Sequence, residues 1–220
     1  MKSGSNPIGV FGGTFDPVHF GHLRLAQEVA EYCNLESVRM IPAGMPPHRL
    51  KPRSDATQRF EMVEIATAGN SILTPDGREI GKKTPCYSVE TLIELRSEFG
   101  MDKPICLMVG ADAFLGFSTW HEWERLFDLA HVIVARRPGF DLALKGALAG
   151  QYEKRRENDP DALRHVPAGK ILTVDITPLD ISSSAIRDYF ARDKSARYLL
   201  PDAVLDYIRN HGLYREKHAV

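Results

Sequence analysis

The sequence predicts an α/β fold, a doubly wound parallel sheet with helices on both faces, in a single domain. Three observations carry this. Short apolar runs recur at residues 8–11, 38–41, 105–109, 132–135 and 171–176. Stretches with helical spacing of apolar residues lie between them, the alternation that parallel βαβ units produce. The runs at 105–109 and 132–135 are apolar throughout, as in strands buried on both faces. A chain of 220 residues can bury about 70% of its unfolded surface around one core. Together these describe a Rossmann-like sheet, with ligands expected beyond the carboxyl ends of its strands.

Residues 8–11 form the first strand, ending at Gly12 and Gly13. Residues 20–33 follow as a helix with Leu23, Ala26, Ala30 and Cys33 on one face. The strand at 38–41 is stopped by Pro42, and a Pro-rich basic loop follows: Pro46, Pro47, His48, Arg49, Lys51, Pro52 and Arg53. Asp55 is placed to cap a helix carrying Phe60, Met62, Val63 and Ile65. Residues 71–74 are short and extended. Ser88 is expected to cap a helix that turns Val89, Leu92, Ile93, Leu95 and Phe99 inward. Residues 141–168 interrupt the alternation and read as a polar helical insertion, with Lys154, Arg155 and Arg156 on a solvated face. Two helices, about 182–192 and 201–210, close the chain after the last strand.

Composition narrows the function classes. Hydrophobic residues make up 43% and charged residues 26%, which excludes general disorder. Lys+Arg 28 against Asp+Glu 29 leaves a net charge of −1, so no broad nucleic-acid or anionic-membrane surface is expected. The longest apolar run is 105–109, too short for a transmembrane helix, and the first residues lack a signal-peptide core; a cytoplasmic protein is expected. Three cysteines build no disulfide framework, and Cys33 and Cys106 sit on apolar periodicities that predict burial.

Chemistry concentrates in two segments. The first runs Gly12, Gly13, Thr14, Phe15, Asp16, Pro17, Val18, His19, Phe20, Gly21, His22 between the first strand and helix. Glycines let backbone approach a phosphate, and the helix start supplies unpaired N–H groups and a positive dipole end. His19 and His22, three apart, can face the same way, and Gly21 between them is expected to leave space for a ligand. This is a phosphate cradle, and neither a G-x-G-x-x-G fingerprint nor a Walker A loop. The second segment, Ile181, Ser182, Ser183, Ser184, Ala185, Ile186, Arg187, opens the helix after the last strand. Its serines offer caps and hydroxyls, and Arg187 offers a planar donor fork for phosphate oxygens.

These segments together resemble the nucleotidyltransferase superfamily with its His-x-Gly-His motif. Within it the chain resembles bacterial nicotinate-nucleotide adenylyltransferases. The resemblance extends through Pro46, Pro47, His48 and Arg49; through Pro85, Cys86, Tyr87, Ser88, Val89 and Glu90; through Gly110, Ala111 and Asp112; through Phe117, Ser118, Thr119, Trp120, His121, Glu122 and Trp123; and through Ala135, Arg136, Arg137, Pro138 and Gly139. Cys86 stands where serine is frequent and His121 where an aromatic is frequent. The resemblance implies adenylyl transfer from ATP to nicotinate mononucleotide, with Mg²⁺ held mainly by phosphates and water rather than by a protein cage. It implies that His19, His22 and Arg187 are catalytic, and that Gly12, Gly13, Thr14, Phe15, Ser182 and Ser183 join them around ATP. It places His48, Arg49, Tyr87, Ser88, Val89, Asp112, Trp120, His121 and Arg137 on the mononucleotide. The mononucleotide phosphate, with a second pKa near 6, is its own nucleophile and needs no base. Two alternatives stay open: transfer to another phosphomonoester such as nicotinamide mononucleotide or phosphopantetheine, and a non-catalytic nucleotide sensor. An aminoacyl-tRNA synthetase fragment is disfavoured because no Lys-Met-Ser-Lys-Ser-like loop is present.

Overall fold

A computed structural model describes residues 4–46 and 52–215. Among these residues seven strands form one parallel sheet: β1 (Ile8–Gly13), β2 (Ser37–Pro42), β3 (Leu73–Pro75), β4 (Ile105–Gly110), β5 (His131–Arg136), β6 (Arg156–Glu157) and β7 (Ile171–Asp175). Their spatial order is β3-β2-β1-β4-β5-β7-β6. β1 pairs with β2 on one side and with β4 on the other, through Gly12↔Ile41 and Val10↔Leu107. The chain therefore reverses its direction of travel at β1 and β4, the place where open parallel sheets bind ligands.

The helices are α1 (Phe20–Tyr32), α2 (Ala56–Thr67), α3 (Ser88–Phe99), α4 (Ala111–Leu115), α5 (Leu126–Leu129), α6 (Gly146–Arg155), α7 (Ser183–Ala191) and α8 (Asp202–Asn210). Alternation along the strands divides the core in two. Phe11, Cys106 and Met108 face a cluster with Ala26, Val29, Met62, Val63, Ile186 and Leu205, from α1, α2, α7 and α8. Val10, Ile105, Leu107 and Val109 face Val89, Leu92, Leu95, Phe114 and Leu148, from α3, α4 and α6. Both faces are covered, as the all-apolar runs predict. Among the described residues no helix is long and apolar enough to cross a membrane.

Three expectations change here. The 141–168 stretch is more than a polar insertion: α6 forms, but Leu148 and Leu163 are fully buried, and β6 extends the sheet beside β7. Arg155 leaves the solvated face, lying over the Phe127 ring at 4.8 Å and donating to the Gly169 carbonyl, whereas Lys154 and Arg156 stay exposed. The cap of α3 is Tyr87, without a side-chain hydrogen bond, and Ser88 is the first helical residue. Asp55 does cap α2, accepting from the Gln58 N–H in a reciprocal capping box. Cys33 and Cys106 are buried thiols, as their periodicity predicts.

Candidate functional site

The site begins where β1 ends. Among the described residues nothing lies within 4 Å of a Cβ built on Gly12, whereas one on Gly13 would meet the Phe15 ring at 2.8 Å. Phe15 adopts φ 49°, in the left-handed region that costs a bulky side chain free energy. Its buried ring offsets that cost, meeting Phe11 at 5.6 Å and His22 edge-on at 5.0 Å. Only the backbone of Phe15 is therefore available to a ligand.

His19 is the N-cap of α1 but makes no side-chain cap bond. Its ring stacks on His22, 3.7 Å between centroids. The two imidazoles face the same way, as their spacing predicts. Gly21 serves a different end from the one expected: a Cβ there would be 3.0 Å from the His19 ring, so the glycine makes room for that ring rather than directly for a ligand. Burial lowers the His19 pKa to about 4, so its imidazole is neutral at pH 7 and offers an N–H dipole rather than a cation. Its Nδ1 is buried and has no partner among the described residues.

The start of α7 meets this loop. Ser182 caps the helix by accepting the Ala185 N–H, 3.2 Å. Ser183 Oγ donates to the Pro17 carbonyl at 2.9 Å, which ties the helix start to the loop. Arg187 is half-buried and donates to the Asp16 carbonyl at 2.7 Å and to Ser184 Oγ at 3.1 Å. Two helix N-termini, the stacked histidines and an arginine thus converge on one glycine-lined strand end. That arrangement suits a chain of phosphates.

Gly12 also borders a small cavity with Val10, Ile41, Ser88, Thr91, Leu92, Leu107 and Glu79. The first turn of α3 therefore lies beside the cradle. Val89 is buried in the core, leaving its backbone for any ligand. Tyr87 packs against His121 at 4.4 Å, and Trp120 lies on Phe117 at 4.9 Å with part of its surface exposed. Trp123 packs edge-on against Phe127. Asp112 is exposed in the first turn of α4, just past β4. Arg137 is exposed in an ion pair with Asp180, 3.2 Å, two residues before the α7 cap Ser182. His48 and Arg49 lie outside the described residues.

The burial of several charged groups beside the site escaped sequence reasoning. Glu79 accepts the Thr91 hydroxyl at 2.6 Å, and burial raises its pKa. Arg59 and Asp16 lie beneath the cradle, both almost fully buried. For Arg59 a signal existed: it stands one turn before Met62 and Val63, on the buried face of α2.

The cytidylyltransferase-like family model matches residues 10–189, which makes this parallel sheet with a phosphate cradle at its switch point a nucleotidyltransferase. A relative from Dechloromonas aromatica (strain RCB), named "probable nicotinate-nucleotide adenylyltransferase", is 51% identical, covering 96% of this chain and 99% of its own. One of the same name from Halorhodospira halophila is 47% identical, covering 97% and 98%. The chain belongs to the nicotinate-nucleotide adenylyltransferase family. The fold is shared with Plasmodium falciparum nicotinic acid mononucleotide adenylyltransferase solved with NaAD, at TM-score 0.68 and 18% identity over 96% of this chain and 98% of that one.

Proposed function

We propose that this chain transfers the adenylyl group of ATP to nicotinate mononucleotide, giving deamido-NAD and pyrophosphate, a step of NAD biosynthesis. The observation that carries the reading is the convergence of His19, His22 and the α7 start on the open Gly12 backbone, beside the first turn of α3. One face of that arrangement suits phosphates. The other, with Ser88, Tyr87, Trp120 and His121, suits a flat ring.

A phosphate oxygen of the mononucleotide attacks the α-phosphorus of ATP in line; the bond to the bridging oxygen breaks and pyrophosphate leaves with its electron pair. The nucleophile is already anionic, so the protein positions and stabilises charge. Neutral His19 donates a hydrogen bond, His22 faces the transferring phosphoryl group, and Arg187 with the Ser182–Ser183 helix start holds the outer phosphates. Backbone groups of Gly12, Gly13, Thr14 and Phe15 line the path. Tyr87, Ser88 and Val89 bind the ring carboxylate, Trp120 and His121 flank the ring, Asp112 takes a ribose hydroxyl, and His48, Arg49 and Arg137 meet the mononucleotide phosphate.

Nucleotidyltransferases of this family generally use a divalent metal with the nucleotide. Among the described residues no group of three or more His, Cys, Asp or Glu could hold one. Mg²⁺ is proposed to enter with ATP, carried by phosphate oxygens and water. Three free, buried thiols support a reducing compartment, the cytoplasm.

The test is pyrophosphate release from ATP and Mg²⁺ with nicotinate mononucleotide, nicotinamide mononucleotide and phosphopantetheine in parallel. Fastest release with the first is expected. Preference for phosphopantetheine, or no release with any, overturns the proposal.

A further inference from the structure

Asp16 lies behind Arg187, which holds the outer phosphates in the proposed reaction, and is almost fully buried. A carboxylate offers about four acceptor sites, and four donors converge on this one. Oδ1 accepts the Tyr214 hydroxyl (2.7 Å), the Ser54 N–H (3.2 Å) and the Ser54 hydroxyl; Oδ2 accepts the Arg53 N–H (2.8 Å). Arg187 takes a different atom of the same residue. Its Nη1 donates to the Asp16 backbone carbonyl at 2.7 Å, while Oδ2 stands 4.0 Å away, too far for a hydrogen bond. Arg59, also buried, fixes the other end of the 14–16 segment by donating to the Thr14 carbonyl at 2.9 Å.

A free carboxylate beside a guanidinium captures it in a two-bond fork, and those are the donors a phosphate needs. Here other donors already occupy the carboxylate oxygens. Its charge still attracts Arg187, and the backbone carbonyl sets where the guanidinium stops. Tyr214 joins the two sides of this arrangement. Its hydroxyl bonds Asp16, 198 residues away in sequence, and its ring packs on Phe190 at 6.1 Å between centroids, one turn beyond Arg187 on α7. Burying a carboxylate costs free energy that its donors only offset, so packing alone does not account for it.

We propose that Asp16, held by Tyr214, is a positioning residue for Arg187: the occupied carboxylate keeps the guanidinium on the ATP side without consuming its fork. The inference rests on the function proposed above. Asp16 acts on ATP only through Arg187, and Tyr214 only through Asp16 and α7. Both should therefore matter for ATP far more than for the mononucleotide, and both should lose their effect once Arg187 is gone.

The experiment is a double-mutant cycle read in kcat/KM for ATP, with Kd for a non-hydrolysable ATP analogue and for nicotinate mononucleotide measured by calorimetry. Asp16→Asn removes the charge and turns an NH₂ toward donors. It should lower kcat/KM for ATP and weaken the analogue about tenfold, while Kd for the mononucleotide shifts less than about twofold. Tyr214→Phe keeps the ring and removes one donor, and about a threefold loss on the ATP side is expected. In an Arg187→Ala background each substitution should cost less than about 1.5-fold. Unchanged values for ATP in Asp16→Asn overturn the proposal. So do equal losses for both ligands, which a loosened fold would give, and losses that multiply in full with Arg187→Ala. If Asp16→Asn does not fold, Tyr214→Phe carried through the same cycle decides by the same criteria. Wild-type protein that binds the analogue but releases no pyrophosphate counts against the function itself. Active wild type whose variants handle ATP normally counts against positioning alone.

Discussion

The imidazoles of His19 and His22 stack 3.7 Å apart between centroids, with 25° between their planes. Phe15 meets the second ring edge-on and Gly21 clears space for the first. Phe11 and Phe15 flank the His22 ring before any ligand arrives. A preorganised donor of this kind stabilises developing charge without reorganising.

His22→Ala removes one such donor. Alanine suits the first turn of α1, and His22 is only partly buried, so the fold should persist. Turnover at saturating substrates should fall about 10²–10³-fold. A stopped assay for pyrophosphate measures it, and a variant within about threefold of wild type would remove His22 from the reaction.

Arg187→Lys keeps the charge and loses the fork. The guanidinium already bonds the Asp16 carbonyl and Ser184 Oγ and lies 4.0 Å from the Asp16 carboxylate, and a guanidinium carries more donors than these contacts use. A single ammonium cannot keep these contacts and grip phosphates as well. We expect kcat/KM for ATP to drop about tenfold or more, with KM for the mononucleotide changing much less. An unchanged kcat/KM for ATP places Arg187 in a structural role only.

What the sequence made legible follows from range. The apolar runs at 105–109 and 132–135 needed no partner to declare themselves strands, and the His19–His22 spacing was readable within one helical turn. Asp16 and Tyr214 are 198 positions apart, and Arg59 reads locally as a polar helix residue; their partners are carbonyls and amides that no side-chain pattern reports. The two-residue β6 was invisible for a similar reason, since Arg156 and Glu157 carry no strand signal and pair only because β7 offers a free edge. Ser88 misled as a cap because serine favours that position, yet the helix begins at Ser88 itself.

Acid should destabilise the fold through two buried imidazoles. Burial lowers the pKa of His19 and of His131 to about 4. The His131 ring accepts the Lys170 N–H at Nδ1, 3.1 Å, and therefore donates from Nε2 to the Val166 carbonyl, 2.9 Å. Unfolded histidine titrates near 6.5, so the unfolded chain binds more protons than the folded one between about pH 6.5 and 4. Stability is full above that window and falls as pH drops through it. Each histidine should cost about 1.5 kcal/mol between pH 6.5 and 5, before most carboxylates titrate. Urea unfolding at those two pH values reads the sum. A flat profile would show that neither ring is buried in its neutral form in the native state.

The enzyme should prefer the acid, nicotinate mononucleotide, over the amide. Among the described residues the α3 N-cap, Tyr87, makes no side-chain cap bond, and Ser88 borders the cavity next to Gly12. A carboxylate there gains charge-assisted hydrogen bonds worth roughly 1.5–3 kcal/mol, against roughly 0.5–1.5 for a neutral carboxamide. Glu79 works in the opposite sense, because a carboxylate in the same cavity repels the acid and can accept from an amide NH₂. Burial raises its pKa, and Thr91 occupies Oε1. Several N–H groups and a helix dipole outweigh that one group. We expect kcat/KM for the acid to exceed that for the amide at least about tenfold, or 1.4 kcal/mol. Glu79→Gln, which removes the opposing charge, should widen the ratio. Both are measured side by side at saturating ATP and Mg²⁺. Equal use of the two mononucleotides, or a ratio that narrows in Glu79→Gln, would refute the acid pocket while leaving adenylyl transfer intact.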